Sequence, residues 1–160
     1  MVNRPMQLHI SNDPPTSRAF LEAASLDIGA ILQSYIAIHN DIFRFSLRRI
    51  LPVPVLFQSI NYEDYFRRLF YLDETLGGIF RQFPDHSDEV PELLVIIKRY
   101  CEALRAAMSS LRKICGSLME KAAHQKTYNW TVYQSDLRRY NAAVSRYREI
   151  GTRLNVLLNG

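Results

Sequence analysis

The most constraining feature of this sequence is the spacing of its apolar residues, which recur in alternating steps of three and four along four long segments. In the last segment, for example, Tyr133, Leu137, Tyr140 and Val144 follow Trp130 at this spacing. Such steps return to the same face of an α-helix, and a mean repeat near 3.5 residues places that face against neighbouring helices. The chain is therefore predicted to be all-α.

Breaks in this pattern divide the chain into four helical segments. Prolines and glycines are sparse, with 7 and 6 in 160 residues, and most prolines cluster in PP at 14–15, LPVPVLF at 51–57 and FPDHSDEVPE at 83–92. Short connections between long helices favour antiparallel neighbours. We predict an antiparallel up-down four-helix bundle that forms one domain over 17–160, behind a flexible N-terminal tail over 1–16. Its long helices are predicted at about 17–51, 61–83, 91–126 and 129–159.

The boundary between the third and fourth helices contains neither glycine nor proline. The apolar repeat nevertheless shifts by one residue at Trp130, and two interpretations fit the shift. One is a turn near His124–Asn129 with Asn129 or Thr127 as the cap of the last helix. The other is a one-residue skip in a continuous rod. The sequence favours the turn, because the unshifted repeat would bury mostly polar residues.

Aromatic and arginine side chains of the last helix fall on different faces. Trp130, Tyr133, Tyr140 and Tyr147 share the apolar repeat and are predicted to lie in the core. The arginines of this segment fall outside the repeat. The aromatic residues are therefore interpreted as packing and not as a ligand platform.

Basic residues are concentrated in the last two helices. Residues 98–160 hold 12 Arg and Lys against 4 Asp and Glu, whereas residues 1–97 hold 8 against 12. An outward stripe of this charge would bind phosphates without reading bases. The other interpretation is a solvated face that pairs with acidic residues of the first two helices. The residues predicted for polyanion binding are Arg105, Arg112, Lys113, Arg138, Arg139, Arg146, Arg148 and Arg153.

The first two helices carry apolar residues on more than one stripe. Either the bundle core is broad on this side, or a second face docks a protein partner. A homo-oligomer is also compatible with this pattern. The residues predicted for partner binding are Phe43, Leu47, Phe66, Phe70 and Tyr71.

Patterns typical of catalysis or metal binding are missing from the sequence. A di-iron bundle needs Glu-x-x-His pairs, but Glu120 and His124 are four residues apart. DHSDE at 85–89 reads as a helix-capping loop, and His39 with Asp41 reads as a pair on a polar face. There is no nucleophile elbow or phosphate-binding glycine loop. We therefore predict no catalytic residue, no cofactor, no metal and no enzymatic activity.

Cys101 and Cys115 are predicted to be buried free thiols. They lie fourteen residues apart on one helix, about 21 Å at ~1.5 Å per residue, which is too far for a mutual disulfide. This fits a reducing compartment. The sequence shows no signal-peptide pattern and no run of about 18 apolar residues, so we expect a cytoplasmic protein without a membrane span.

Two stretches, LRRILPVPVLFQSINYEDY and LRRYNAAVSRY, resemble signatures of LemA-type helical proteins. The likeness consists of an arginine pair before a proline-containing helix start and a late RRxYNxAV stretch. The spacing of other landmarks departs from that family, and its usual N-terminal membrane helix has no counterpart in the sequence. The resemblance therefore implies no assignment.

Taken together, these patterns predict a non-catalytic interaction protein, a structural or adaptor subunit of a larger assembly. The alternative is a nucleic-acid or ribonucleoprotein-binding subunit that grips phosphates through the hairpin of the third and fourth helices.

Overall fold

The computed structural model of the chain describes residues 18–48, 61–84, 92–124 and 127–159, with side chains as far as Phe43 in the first range. These residues form a four-helix bundle, as predicted. Its helices are α1 (Arg18–Arg48), α2 (Tyr62–Arg81), α3 (Glu92–Ala122) and α4 (Trp130–Asn159). The predicted tail over 1–16 and the DHSDE loop lie outside the described residues.

Capping side chains fix the start of α2. The side-chain oxygen of Asn61 accepts a hydrogen bond of 3.0 Å from the backbone N–H of Asp64. Glu63 and Asp64 also place negative charge in the first turn, where the helix dipole favours it.

The turn between α3 and α4 confirms the first of the two interpretations of this boundary. His124 adopts a left-handed conformation with φ 56°, which stops α3 four residues before the predicted end at 126. Asn129 then caps α4, because its side-chain oxygen accepts a hydrogen bond of 2.9 Å from the backbone N–H of Val132. α3 and α4 are therefore a hairpin and not one rod.

α3 is the central helix of the bundle, and it packs against each of the other three. The fully buried residues Ile97, Leu104, Met108 and Leu111 line its inward face. In contrast, no described Cα atom of α1 lies within 8 Å of one in α4. Side chains alone bridge these two helices.

The fourth helix buries its aromatic residues unevenly. Tyr140 and Tyr147 are buried, as predicted, whereas Tyr133 is only half-buried and packs against the core. The prediction for Trp130 is wrong, because its side chain is 68% exposed. Trp130 is the first residue of α4 and its indole lies against the ring of Tyr133, while Tyr128 in the turn is buried instead.

By length and composition, α1 over Arg18–Phe43 is apolar enough to cross a membrane. Ile31, Tyr35 and Ile38 from this stretch are fully buried against the other helices. Core helices of bundles often meet this criterion of length and composition, since their inward face is strongly apolar.

Candidate binding surfaces on the helical bundle

Half of the residues predicted for polyanion binding are engaged within the bundle. Three of them form ion pairs between helices or across the hairpin: Arg105 with Asp73 at 2.8 Å, Lys113 with Asp136 at 2.8 Å, and Arg153 with Glu92 at 3.0 Å. The hydrogen bond to Asp73 is the main reason why the pKa of Arg105 is raised. For Arg105, this pairing agrees with the interpretation of the basic residues as a solvated face that pairs with acidic residues of the first two helices.

Arg112, a fourth member of that set, lies over two phenylalanine rings of α2. Its guanidinium carbon is 5.9 Å from the ring centroid of Phe66 and 5.3 Å from that of Phe70. The ring of Phe66 also packs on Gly116, where an added Cβ would lie 3.3 Å from it. We call Phe66, Phe70 and Arg112 the aromatic–arginine cluster. Its cation–π contacts hold the Arg112 guanidinium of α3 beside two rings of α2.

The other four predicted cations, Arg138, Arg139, Arg146 and Arg148, are exposed on α4. None of them forms an ion pair with an acidic residue in the part of the chain that the structure describes. At 3.6 residues per turn, Arg138, Arg139 and Arg146 fall within an arc of about 100°, and Arg148 lies about 180° from Arg139. The structure thus brings three of the eight predicted residues together on one face of α4.

A shallow groove runs between α3 and α4 beside this arginine face. It has a volume of about 180 Å³ and is lined by Ser109, Ser110, Lys113, Asp136 and Arg139. We call it the hairpin groove.

Asp136, at the floor of this groove, is a buried carboxylate that sequence reasoning missed. Its side chain is only 5% exposed, and its two oxygens accept hydrogen bonds from Lys113 Nζ at 2.8 Å and the Tyr128 hydroxyl at 3.0 Å. Burial alone would raise the pKa of Asp136, but these two donors outweigh it and lower the pKa. One signal was available in the sequence, since Asp136 is the single acidic residue between Glu120 and Glu149.

A second buried polar group joins α1 to α4. The hydroxyls of Tyr35 and Tyr140 are 2.6 Å apart, and Nδ1 of His39 lies 2.7 Å from the Tyr140 hydroxyl. The ring of Phe43 stacks on Tyr140 with centroids 5.7 Å apart. We call Tyr35, His39, Phe43 and Tyr140 the aromatic joint. Burial lowers the pKa of His39 and raises the pKa of both tyrosines.

The interpretation of His39 and Asp41 as a pair on a polar face is therefore wrong for His39. The His39 ring faces α4, whereas Asp41 is exposed. The His39 imidazole fills the gap between α1 and α4, whose backbones do not approach closely. Its partner Tyr140 is 101 residues away in the sequence, so residue spacing within α1 cannot reveal the contact.

The five residues predicted for partner binding occupy different places. Phe43 is part of the aromatic joint, and Phe66 and Phe70 belong to the aromatic–arginine cluster. Phe70 and Tyr71 are exposed at 51% and 54%. The side chain of Leu47 lies outside the described residues. Of the five, Phe70 and Tyr71 are exposed on α2, whereas Phe66 is half-buried between α2 and α3.

Cys101 and Cys115 are buried free thiols on α3, as predicted. Burial raises the pKa of each thiol to about 12. Among the described residues, no group of three or more His, Cys, Asp or Glu side chains could hold a metal ion.

Comparisons with known proteins find no matching family model, no matching curated protein and no matching solved structure. The likeness to LemA-type signatures thus has no family match behind it, and the proposals below rest on the chain's own residues.

Proposed function

We propose that this protein is a non-catalytic interaction protein, a structural or adaptor subunit of a larger assembly, and that α2 and α3 present its protein-binding surface. The observation that carries the proposal is the aromatic–arginine cluster. Phe70 is half exposed while the guanidinium of Arg112 is held over its ring and over the ring of Phe66.

The physical support is the composition of this surface and the contacts that position its arginine. Residues that dominate protein interfaces are mainly aromatic residues and arginine, because they bury large apolar area and offer directed hydrogen bonds. Stacking fixes the guanidinium before binding, which lowers the entropy lost on association. A partner that fits would offer an apolar side chain to Phe70 and a carboxylate to Arg112.

The matched partner test uses Phe70→Ser, with Leu26→Ser as control. Leu26 is 77% exposed on α1, so both changes remove an exposed apolar side chain. A photo-crosslinking residue at position 71, on the exposed outer side of α2, would identify the bound protein in native lysate. We expect the cross-linked product to survive nuclease and high salt, to disappear with Phe70→Ser and to persist with Leu26→Ser. A product lost equally in both variants would contradict the proposal.

The second candidate function is polyanion binding, and the exposed arginines of α4 favour it. Arg138, Arg139 and Arg146 lie on one face, and no acidic residue of the described chain pairs with them. A cationic face of this kind binds nucleic-acid backbones by releasing counterions, so its affinity falls steeply with salt.

The test of this candidate is binding to RNA and DNA oligonucleotides of several sequences at increasing salt. Arg138→Glu with Arg139→Glu should weaken binding to every sequence alike. Arg67→Glu with Arg68→Glu on α2 is the matched control, because it makes the same charge change at two adjacent exposed arginines. Equal losses in both variants would point to net charge alone and contradict a binding face on α4.

The proposal includes a cytoplasmic location. The support is chemical, since both cysteines are free thiols, which is usual in reducing compartments.

A further inference from the structure

We infer that the hairpin groove binds one phosphodiester group of a nucleic-acid backbone. This inference rests on the second candidate function, polyanion binding by α3 and α4, and it names the place where one phosphate sits. The groove is open to solvent and its volume of about 180 Å³ accommodates a tetrahedral oxyanion.

Two hydroxyl groups in the groove are available as donors. Helix hydroxyls elsewhere, such as those of Ser25, Ser34 and Thr75, donate to the carbonyl oxygen four residues earlier. The hydroxyls of Ser109 and Ser110 make no hydrogen bond within the described part of the chain. They can therefore donate to a ligand without giving up an internal bond.

The ammonium group of Lys113 is positioned at the groove by Asp136. One of its N–H groups is used by the carboxylate at 2.8 Å, which leaves two further donors. Tyr128 satisfies the other carboxylate oxygen. Lys113 and Tyr128 thus each donate to one oxygen of Asp136, and the carboxylate positions the Lys113 ammonium group at the groove.

Helix geometry brings the donors of the two helices together. Ser109 and Lys113 are four residues apart on α3, and Asp136 and Arg139 are three apart on α4, so each pair shares a helix face about one turn apart. The ion pair between Lys113 and Asp136 then sets the two faces against each other. A phosphate in the groove has hydroxyl donors on one side and the Arg139 guanidinium on the other.

The charge of the groove favours a diester over a dianion. The charges of Lys113 and Asp136 compensate each other, and the guanidinium of Arg139 remains in excess. A phosphodiester carries a single negative charge, so the charges match. Arginine is also the side chain best suited to paired hydrogen bonds with phosphate oxygens.

Titration of the ¹⁵N-labelled full chain with dimethyl phosphate, at constant ionic strength against chloride, tests the inference. We expect saturable NMR shifts of the Ser109 and Ser110 amides and of the Arg139 side-chain N–H. Ser109→Ala with Ser110→Ala should weaken binding about a hundredfold, since two hydrogen bonds to a charged group are lost. Alanine is a good helix former, so this variant should keep the fold, which circular dichroism checks.

The matched pair of charge variants is Arg139→Gln and Arg148→Gln. Each removes one arginine from α4, but Arg148 lies on the flank opposite Arg139. Arg139→Gln should abolish the saturable shifts, and Arg148→Gln should leave them unchanged. Shifts that are equal in both variants, or that follow all exposed arginines alike, would overturn the inference in favour of diffuse charge.

A parallel titration with RNA and DNA oligonucleotides separates the groove from the proposed function. Oligonucleotide binding that loses affinity in the serine variant supports the inference. In another outcome, the chain binds oligonucleotides, the serine variant binds them equally well, and dimethyl phosphate causes no shift in the groove. This result would overturn the inference but leave polyanion binding as the proposed function. Groove binding of dimethyl phosphate without oligonucleotide binding overturns the nucleic-acid assignment and, with it, the inference as stated.

Discussion

α4 makes two contacts that differ in how closely the backbones approach. Against α3 the approach is tight, since a Cβ added to Gly151 would lie 2.9 Å from a ring carbon of Tyr100. Against α1 no described Cα atoms come within 8 Å, and the aromatic joint spans the gap. The contact between α3 and α4 depends on close packing of the two helices, whereas the contact between α1 and α4 depends on a few long side chains. Single substitutions should therefore act very differently in the two places.

Tyr140→Ala should have the largest effect, because Tyr140 is fully buried and carries both hydrogen bonds of the aromatic joint. We expect it to lower the free energy of unfolding by about 3–5 kcal/mol. Urea denaturation measures the change. Tyr71→Ala, at an exposed position, should change it by less than about 0.5 kcal/mol. A loss below about 1 kcal/mol for Tyr140→Ala would mean that α1 does not depend on the joint.

Lys113→Met should destabilise the tight contact by about 1–3 kcal/mol at pH 7, because Asp136 then stays buried without its cation. The Asp136 pKa is lowered from 3.8 in the folded protein, so the wild-type stabilisation is present above pH 3.8 and is lost as the pH falls through the folded value. The variant should lose this dependence in acid. Unfolding curves between pH 2 and 7 would show it, and curves parallel to those of the wild type would contradict the role of the ion pair.

Gly151→Ala tests the close approach of α3 and α4 directly. The new methyl group would meet the buried ring of Tyr100, so we expect a net destabilisation of about 1–2 kcal/mol after the gain in helix propensity. Gly29→Ala on α1 is the matched control, since nothing lies within 4 Å of the added Cβ. It should stabilise the protein by about 0.5–1 kcal/mol. Thermal unfolding of both variants measures the difference, and equal shifts would rule out the steric explanation.

The smallest expected effect is the pH dependence of the aromatic joint. Burial lowers the pKa of His39 below 6.5, so the unfolded chain binds its proton more readily. The contribution of the neutral ring is therefore complete above about pH 6.5 and is lost as the pH falls below it. His39→Gln should reduce the difference in unfolding free energy between pH 5 and pH 8.

His124→Asn is the matched control for this measurement, because His124 is an exposed histidine at a left-handed position that asparagine tolerates. It should keep the wild-type difference between pH 5 and pH 8. If His124→Asn removes the difference and His39→Gln keeps it, the aromatic joint is not the titrating element.

The bundle could be predicted from the sequence because apolar spacing reports which face of a helix turns inward. Even the turn before Trp130 followed from the shift in that spacing, although the exposure of Trp130 did not, since a first helical residue can project beyond its neighbours. The buried polar groups were not predicted. His39 and Asp136 are stabilised by partners on other helices, and a one-dimensional pattern contains no information about such pairs.

For the candidate surfaces too, the sequence predicted which residues lie outside the core but not which residues pair between helices. The predicted positions of Arg138, Arg139 and Arg146 outside the core follow from helix period alone, and the structure places them there. That Arg105 and Lys113 are instead paired with Asp73 and Asp136 depends on how helices align lengthwise, which the residue pattern does not fix.

The two cysteines of α3 can report local opening of this central helix. Since neither thiol is reachable by solvent and each has a pKa near 12, an alkylating reagent at neutral pH would modify only molecules in which α3 has opened. The rate of alkylation in native buffer would then report how often α3 opens. A ligand that binds the folded bundle should lower this alkylation rate, whatever its chemistry.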